Sequence, residues 1–495
     1  MRFFIVNCVL ATYVLEAEGL SIRALHSVDR PNTLYMDGED MLFLRANQDE
    51  IADAVTDIIE RAETYMEMDL LTVLDKGKAP PFDGAEINDY FSFSPYYWLA
   101  NEAPCLDEDL CVNESNTADD MARHELLTDS DFKDTLTNKQ YERLYKDFAP
   151  AAEKKCYEAD VYVKCDGDVN PHADLKHDKD ARNRMLSAIY SGSMAFWYSG
   201  EEKYAEMASK WLQAWFVNKD TRMNPHMNFA QGIPGTDISG QKYGLIEMQR
   251  FPLDVFECAE VLKAGHSKHW SDSDHDKLQQ WQGDFLKWMK NSEMANEAGD
   301  TYNNHATWEA FLRFYLSART LQPDDVWEAM GDITTNVMDT QFSYDAILPY
   351  ETFRPLSRHY YSYGLLPLVR AASILKQFYN RFGEGYTNPD YFGNYLFTYT
   401  NLGTHVSLLE GMSKIHSYAT EAEVYPFPDT ETDWLKLESG SIFDYEEIVV
   451  IGTKYAPSTP TDTYLEDLKM ISGYDKSQSR KSALRLMFSD NESTK

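Results

Sequence analysis

Positive charge is scarce in this sequence. Lys and Arg together number 46 against 81 Asp and Glu, a formal net charge of −35. A nucleic-acid binder needs a basic face to meet phosphates, so that class of partner is excluded. Long apolar runs are missing too. Beyond the N-terminus no uncharged stretch approaches the roughly eighteen residues of a membrane-spanning helix, so no membrane partner is expected. The serine nucleophile elbow, the His-Glu-x-x-His zinc helix, the Gly-Lys-Ser phosphate loop and the dinucleotide fingerprint are all absent. The segment GIPGTDISG has the glycines but neither their order nor a preceding strand. His226, His305 and His359 lie too far apart in sequence for spacing to argue a metal site, and SDSDHD at Ser271 to Asp276 reads as a solvated helix start. No metal and no organic cofactor is expected. Strand signals are hard to find, and Ile448 to Ile451 is the best candidate.

Cysteine is sparse but clustered. Of six, Cys8 lies in an early apolar run, and Cys258 lies in an apolar helical pattern that predicts a buried free thiol. Cys105, Cys111, Cys156 and Cys165 bracket one region. Two local disulfides there would suit an extracellular protein, with the pairing left open. The N-terminus, MRFFIVNCVLATYVLEAEG, has an early Arg, an apolar run and small residues at Ala17 and Gly19. It predicts a signal peptide over residues 1–19 and secretion, with a first buried helix as the alternative. Asn113 and Asn491 open glycosylation tripeptides.

What the chain has in quantity is helical periodicity. Apolar residues recur at helix spacing over 51–66, 186–198, 204–216, 252–262, 278–289, 305–318, 326–342 and 365–379. Gly and Pro fall mainly between these segments. The pattern predicts an all-α architecture of packed antiparallel helix pairs. One monomeric unit is expected over 20–475. An acidic, Cys-containing insertion at about 101–163 reads as a surface excursion, and a polar tail occupies 476–495. Three loops are dense in amides and aromatics: DYFSFSPYYW (89–98), TRMNPHMNFAQGIPG (221–235) and YETFRPLSRHYYSYGL (350–365). Binding groups concentrate on such loops.

The recurring side chains are Asn, His, Arg and Tyr. Removing a proton alpha to a carboxylate builds up an enolate-like dianion, which calls for cations or hydrogen-bond donors on the carboxylate oxygens. Asn and Arg supply donors. His and Tyr can move protons. The set suits lyase chemistry on uronic acids, although composition alone does not choose it over glycoside hydrolysis.

The blocks DYFSFSPYYW, VKCDGDVNPHA, YSGEEKYAEMASKWLQAWFVNKDTRMNPHMNFAQGIPG, GLIE, NNHATW and ETFRPLSRHYYSYGL occur in that order. Through them the chain resembles the alginate lyase superfamily of α/α-toroid polysaccharide lyases. The resemblance implies an incomplete toroid of helix hairpins around a groove and β-elimination on an acidic polysaccharide, alginate-like and mannuronate-rich. Carried over by motif, it implies catalytic Asn304, His305, Arg354 and Tyr360. Asn304 and Arg354 would bind the C5 carboxylate, and Tyr360 would protonate the departing O4. Tyr360 or His305 would act as base, according to the face from which the proton leaves. Tyr361 competes with Tyr360, which is favoured because Tyr360, Tyr363 and Leu365 keep the family's spacing. Ala306 stands where relatives usually have Gly. Asn303 is expected to cap the helix that Asn304 opens. Substrate contacts are expected from Tyr96, Tyr97, Trp98, Arg222, Asn224, His226, Asn228, Gln231, Arg358, His359 and Tyr361. A toroid hydrolase drawing on Glu247, Glu351 or Glu309 is one alternative, and a binding protein without catalysis is another.

Overall fold

The computed structural model describes residues 27–111, 118–148, 155–174, 178–233, 235–320, 323–382, 393–428, 441–457 and 484–488. The expected signal peptide, Cys8, the Asn113 and Asn491 tripeptides and most of the 476–495 tail lie outside them.

Helices dominate, as the periodicity requires. Two of them, Lys179–Ser199 and Asn304–Arg319, are buried along nearly their whole length. A helix apolar or small on all sides must be enclosed by others. Ala52–Met66 and Glu202–Leu212 pack on the first; Ser357–Phe382 packs on the second and on Ser441–Tyr455. Ala52–Met66 buries only one stripe, Ala54, Val55, Ile58 and Ala62, and turns its acids outward. The result is an all-α toroid of paired helices around one continuous apolar core. Buried polar contacts tie distant segments of the toroid together. The Glu257 carboxylate accepts from the amides of Leu34, Tyr35 and Met36 at 2.9–3.1 Å. Arg370 donates to Glu447 at 2.8 Å.

Two expectations change. Ile448 to Ile451 is not a strand but part of the helix Ser441–Tyr455. A β-branched apolar run looks alike in a buried strand and a buried helix, and here it packs against Ser357–Phe382. The core also runs past residue 475. Leu486, Met487 and Phe488 are buried, Phe488 meets Tyr35 edge-on, and the Leu486 carbonyl accepts from the Tyr198 hydroxyl.

The region 101–163 is built into the molecule rather than hung on it. Cys105 pairs with Cys165 and Cys111 with Cys156, while Cys258 is free and buried. Its helices Ser130–Asp134 and Asn138–Phe148 face the end of the toroid. Phe132 and Phe148 pack on Phe353, and Gln140 donates to the Phe342 carbonyl at 3.1 Å. Short strands line the rim: Phe91–Phe93 runs parallel to Phe229–Gly232, and Tyr97–Leu99 antiparallel to Tyr162–Lys164. No helix among the described residues is long and apolar enough to cross a membrane.

Candidate active site

A cavity of about 290 Å³ opens where these rim strands meet the starts of two helices. Its lining gathers Asn304, His305, Arg354, Tyr360, Tyr96, Tyr97, Gln231 and His359 from four separate stretches of chain. It holds four cationic side chains, Lys164, Lys179, Arg182 and Arg354, against two carboxylates, Asp166 and Glu247. A chain of strongly negative charge therefore carries a locally positive hollow.

One wall is the start of the helix Asn304–Arg319. Asn303 caps it, its side-chain oxygen accepting from the His305 amide at 3.1 Å. Asn304 is buried, and its Nδ2 lies 3.0 Å from both oxygens of Glu351; its backbone amide also donates to that carboxylate. Burial pushes the Glu351 carboxyl up to about 7, against the pull of Arg354 and the Asn304 bonds. Glu351 lies on the one-turn helix Pro349–Thr352. Gly364 lets the neighbouring helix come close to it, since a Cβ there would sit 3.1 Å from Glu351 Cγ. The His305 ring lies 4.6 Å from that of Tyr243, and its buried Nδ1 has no hydrogen-bond partner among the described residues. Burial, with Arg354 and Lys164 nearby, drops its pKa to about 3, so the imidazole is neutral.

The other wall carries Arg354 and Tyr360. Arg354 donates from Nε and Nη2 to the two oxygens of Asp166 at 2.8 and 3.0 Å, a fork-to-fork pair. Burial raises the Asp166 carboxyl, but Arg354 and Lys164 outweigh it and hold the group below its ordinary range. The Arg354 guanidinium carbon lies 3.9 Å from the Tyr360 ring centre. The Tyr360 hydroxyl is 3.0 Å from that of Tyr96. Burial raises the Tyr360 phenol well above its ordinary value, and Arg354 offsets only part of that rise.

Tyr361 is elsewhere. It is buried in the core, and its hydroxyl donates to the carbonyls of Ala346 and Gly411. From Ser357 onward the third aromatic loop is helical, so adjacent tyrosines point to different sides. Other expected contacts also lie outside this cavity. Trp98 donates to the Asp168 carbonyl and packs on the small cluster around Cys165. Arg222 does not line it, and its carbonyl accepts from Asn88. Asn224 and His226 both bind Asp89, at 2.6 and 3.0 Å. Arg358 lies over the Tyr425 ring. Asn228 faces a second cavity of about 760 Å³, which adjoins the first through Tyr243 and includes Trp288 and Lys242. His359 stacks on Tyr363, 5.4 Å between centres. Gln231 holds a positive φ of 55°, rare outside glycine, fixed by Ser92 and Gln241.

The three acids weighed for a hydrolase are engaged. Glu247 accepts from Tyr90, Ser92 and Arg182, Glu309 from Arg313, and Glu351 from Asn304. Sequence reasoning missed Asp166, Lys164 and Tyr243. The signal for the first two was present in VKCDGDVNPHA, where a Lys and an Asp flank a bridged cysteine.

A model of the alginate lyase family matches residues 88–383. The crystal structure of an alginate lyase from Bacteroides ovatus superposes with a TM-score of 0.67 at 18% identity, covering 93% of this chain and 100% of that one. At that identity the likeness is one of fold. Alginate lyase A1-III from a Sphingomonas species gives a TM-score of 0.40 at 12% identity over 60% of this chain and 76% of its own. No curated protein sequence matches.

Proposed function

The chain belongs to the alginate lyase family and is a polysaccharide lyase, and from that premise we propose that it cleaves mannuronate-rich, alginate-like glycan by β-elimination in the cavity between Asn304 and Tyr360. The observation that carries this reading is the placing of Tyr360. Its hydroxyl lies in a positive hollow, with a guanidinium on its ring and a second phenol at hydrogen-bond distance.

The uronate carboxylate would lie toward His305, Asn304 and Arg354. A neutral His305 donates a hydrogen bond from the one ring nitrogen that keeps its proton and adds no net charge, and Asn304 is set by Glu351. Arg354 keeps Nη1 for substrate while Asp166 fixes the rest of its fork. Concentrating donors on the carboxylate stabilises the dianion formed when C5 loses its proton. A His305 whose conjugate acid is so disfavoured makes a weak base. Tyr360 is therefore assigned both transfers, which requires the C5 proton and O4 on the same face, as in mannuronate. Tyr360 first gives its hydroxyl proton to solvent, with the Arg354 guanidinium over its ring to offset the charge, and the resulting phenolate takes the C5 proton. The C–H pair forms the C4–C5 double bond, the C4–O4 bond breaks, and O4 takes the proton back from Tyr360. Neighbouring sugars would run past Tyr243 toward Asn228 and Trp288. The two disulfides of the rim suit secretion into an oxidising setting.

The test is incubation with polymannuronate, polyguluronate, glucuronan and hyaluronan in parallel, following the ultraviolet absorbance of unsaturated uronate ends. Polymannuronate should respond most strongly. Tyr360→Phe should lower kcat roughly a thousandfold, while Tyr361→Phe should leave it unchanged. No unsaturated ends on any of the four, or full activity in Tyr360→Phe, would sink the proposal.

A further inference from the structure

The second cavity, of about 760 Å³, adjoins the catalytic one through Tyr243 but differs from it in charge. The catalytic cavity sets four cations against two carboxylates, and the second sets Lys242 against Glu293 and Glu297. Lys242 stands at the junction. Its ammonium lies 5.7 Å from the Tyr243 ring centre, and that of Lys164, in the catalytic cavity, lies 5.6 Å from it. Glu293 and Glu297 are one turn apart on the short helix Glu293–Gly299, both exposed, and neither is in an ion pair among the described residues. Like charges at that spacing oppose each other, and a carboxylate in the last turn also opposes the helix dipole. The helix itself therefore gains nothing from Glu297. The rest of the lining suits a sugar ring. Trp288 is half-buried, lies 5.2 Å from the Phe285 ring, and donates its indole N–H to the Asn228 side-chain oxygen at 2.9 Å. That bond fixes the plane of the indole and leaves the Asn228 side-chain nitrogen as a donor for a ligand. Ile238 and Met294 add apolar surface.

We infer that the second cavity is a sugar subsite that binds a ring face and hydroxyls, and that Glu293 and Glu297 are specificity-determining residues that disfavour a carboxylate there. The inference rests on the function proposed above, since a sugar reaches this cavity as part of a chain held at Asn304 and Tyr360. An aromatic face takes the apolar C–H face of a pyranose, and fixed amides take its hydroxyls; neither contact asks for charge. A uronate in the catalytic cavity meets an excess of cations. A uronate in the second cavity meets two negative groups and one cation. The groove thus changes sign along its length. A polyuronate is drawn in at one end and repelled at the other, and an uncharged sugar in the second cavity escapes that repulsion. Both carboxylates are exposed, so salt screens them, while the largely buried Arg354 is screened far less. Added salt therefore relieves the repulsion in the second cavity more than it weakens the hold of the first.

The test is initial rates on polymannuronate at about 10 mM and about 0.5 M ionic strength. Wild type is compared with Glu293→Gln/Glu297→Gln and with a control, Glu67→Gln/Asp69→Asn, which removes two exposed acids that line neither cavity. At low salt the cavity variant should lower KM about threefold, with kcat within about twofold. At high salt its KM should converge on that of wild type, because the carboxylates are screened. The control should track wild type at both. Trp288→Ala should raise KM about fivefold at either salt, with thermal melting to show an intact fold. A cavity variant with unchanged KM at low salt, or one matched by the control, overturns the role of the two carboxylates. An unchanged KM in a well-folded Trp288→Ala overturns the subsite. Should Trp288→Ala melt early, the exposed Glu pair decides alone, since only a substrate that reaches the second cavity responds to it. If wild type makes no unsaturated ends from polymannuronate, the proposed function has failed and this inference with it. If wild type is active and the Glu pair is silent, only this inference has failed.

Discussion

The two walls of the cavity are each braced by a carboxylate, and the two braces work in opposite electrical settings. Glu351 is buried, faces the amide groups of Asn304, and has its pKa pushed up to about 7. Asp166 sits at the rim between Arg354 and Lys164 and is held below its ordinary value. The first brace is short-range and internal: it connects one helix start to a one-turn helix. The second crosses 188 residues of sequence, from a bridged rim strand to a helix junction. One residue class can thus fix a neutral group by burial or a charged group by pairing. The first arrangement is bound to stability, and the second to the field felt by a reacting group.

Removing the braces separates these effects most strongly. Glu351→Ala leaves two buried donors of Asn304 unmatched. It should cost about 2–4 kcal/mol of stability and lower kcat/KM roughly a hundredfold. Asp166→Ala should cost about 1 kcal/mol or less, because the pair is partly exposed, yet reduce kcat about tenfold by loosening Arg354 over Tyr360. Denaturant melts beside initial rates check both. If the Asp166 variant proves the less stable of the two, the contrast is wrong.

The pH dependence of stability sharpens the same point. The Glu351 pKa moves from an ordinary 4.5 up to about 7 on folding. Between those values the folded chain binds more protons than the unfolded one. Stability is therefore lost as pH rises across that window, by up to about 3 kcal/mol from this group. Glu351→Gln keeps an acceptor for Asn304 and removes the titration. Its urea midpoint should fall less than that of wild type between about pH 5 and about pH 8. Glu309, also pushed up to about 7 by burial, titrates in both proteins and cancels from the comparison. Equal slopes would show that Glu351 does not titrate there.

A smaller effect is expected from opening the Cys105–Cys165 bridge, which anchors the chain between the end of the strand Tyr162–Lys164 and Asp166. The paired Ser variant should lose about 2–4 kcal/mol, but only about threefold in kcat/KM, since backbone pairing from Tyr162 to Lys164 still positions Asp166. A loss as deep as that of Asp166→Ala would make the bridge, and not the strand, the real support.

Much of this was legible in residue order. Helices such as Asn304–Arg319 announce themselves because each buried turn repeats locally, and Asn303 shows its cap within two residues. Family spacing favoured Tyr360 over Tyr361, and the helix phase gives the physical reason, since it turns Tyr361 into the core. The bracing roles of Asp166 and Glu351 resisted sequence reading for another reason. A brace is defined by what it touches across space, so a motif can mark such a residue without showing its partner. The charge of the insertion left open whether it folds over one end of the groove or stays a surface loop, and Phe132, Phe148 and Gln140 carry its packing against the toroid.

The smallest effect belongs to the loop 221–235, where composition promised sugar contacts. Asn224 and His226 converge on Asp89, which also accepts the Glu86 amide at 2.8 Å. Asn224→Ala should therefore cost about 1 kcal/mol of stability and leave kcat/KM within about twofold, a difference near the limit of what one surface hydrogen bond is worth. Gln231, on the same stretch but lining the cavity, should instead raise KM when truncated to Ala. If Asn224→Ala raises KM as much as Gln231→Ala, the substrate reaches beyond the cavity to the Asp89 cluster. The boundary between groups that hold the rim and groups that hold the sugar would then move outward.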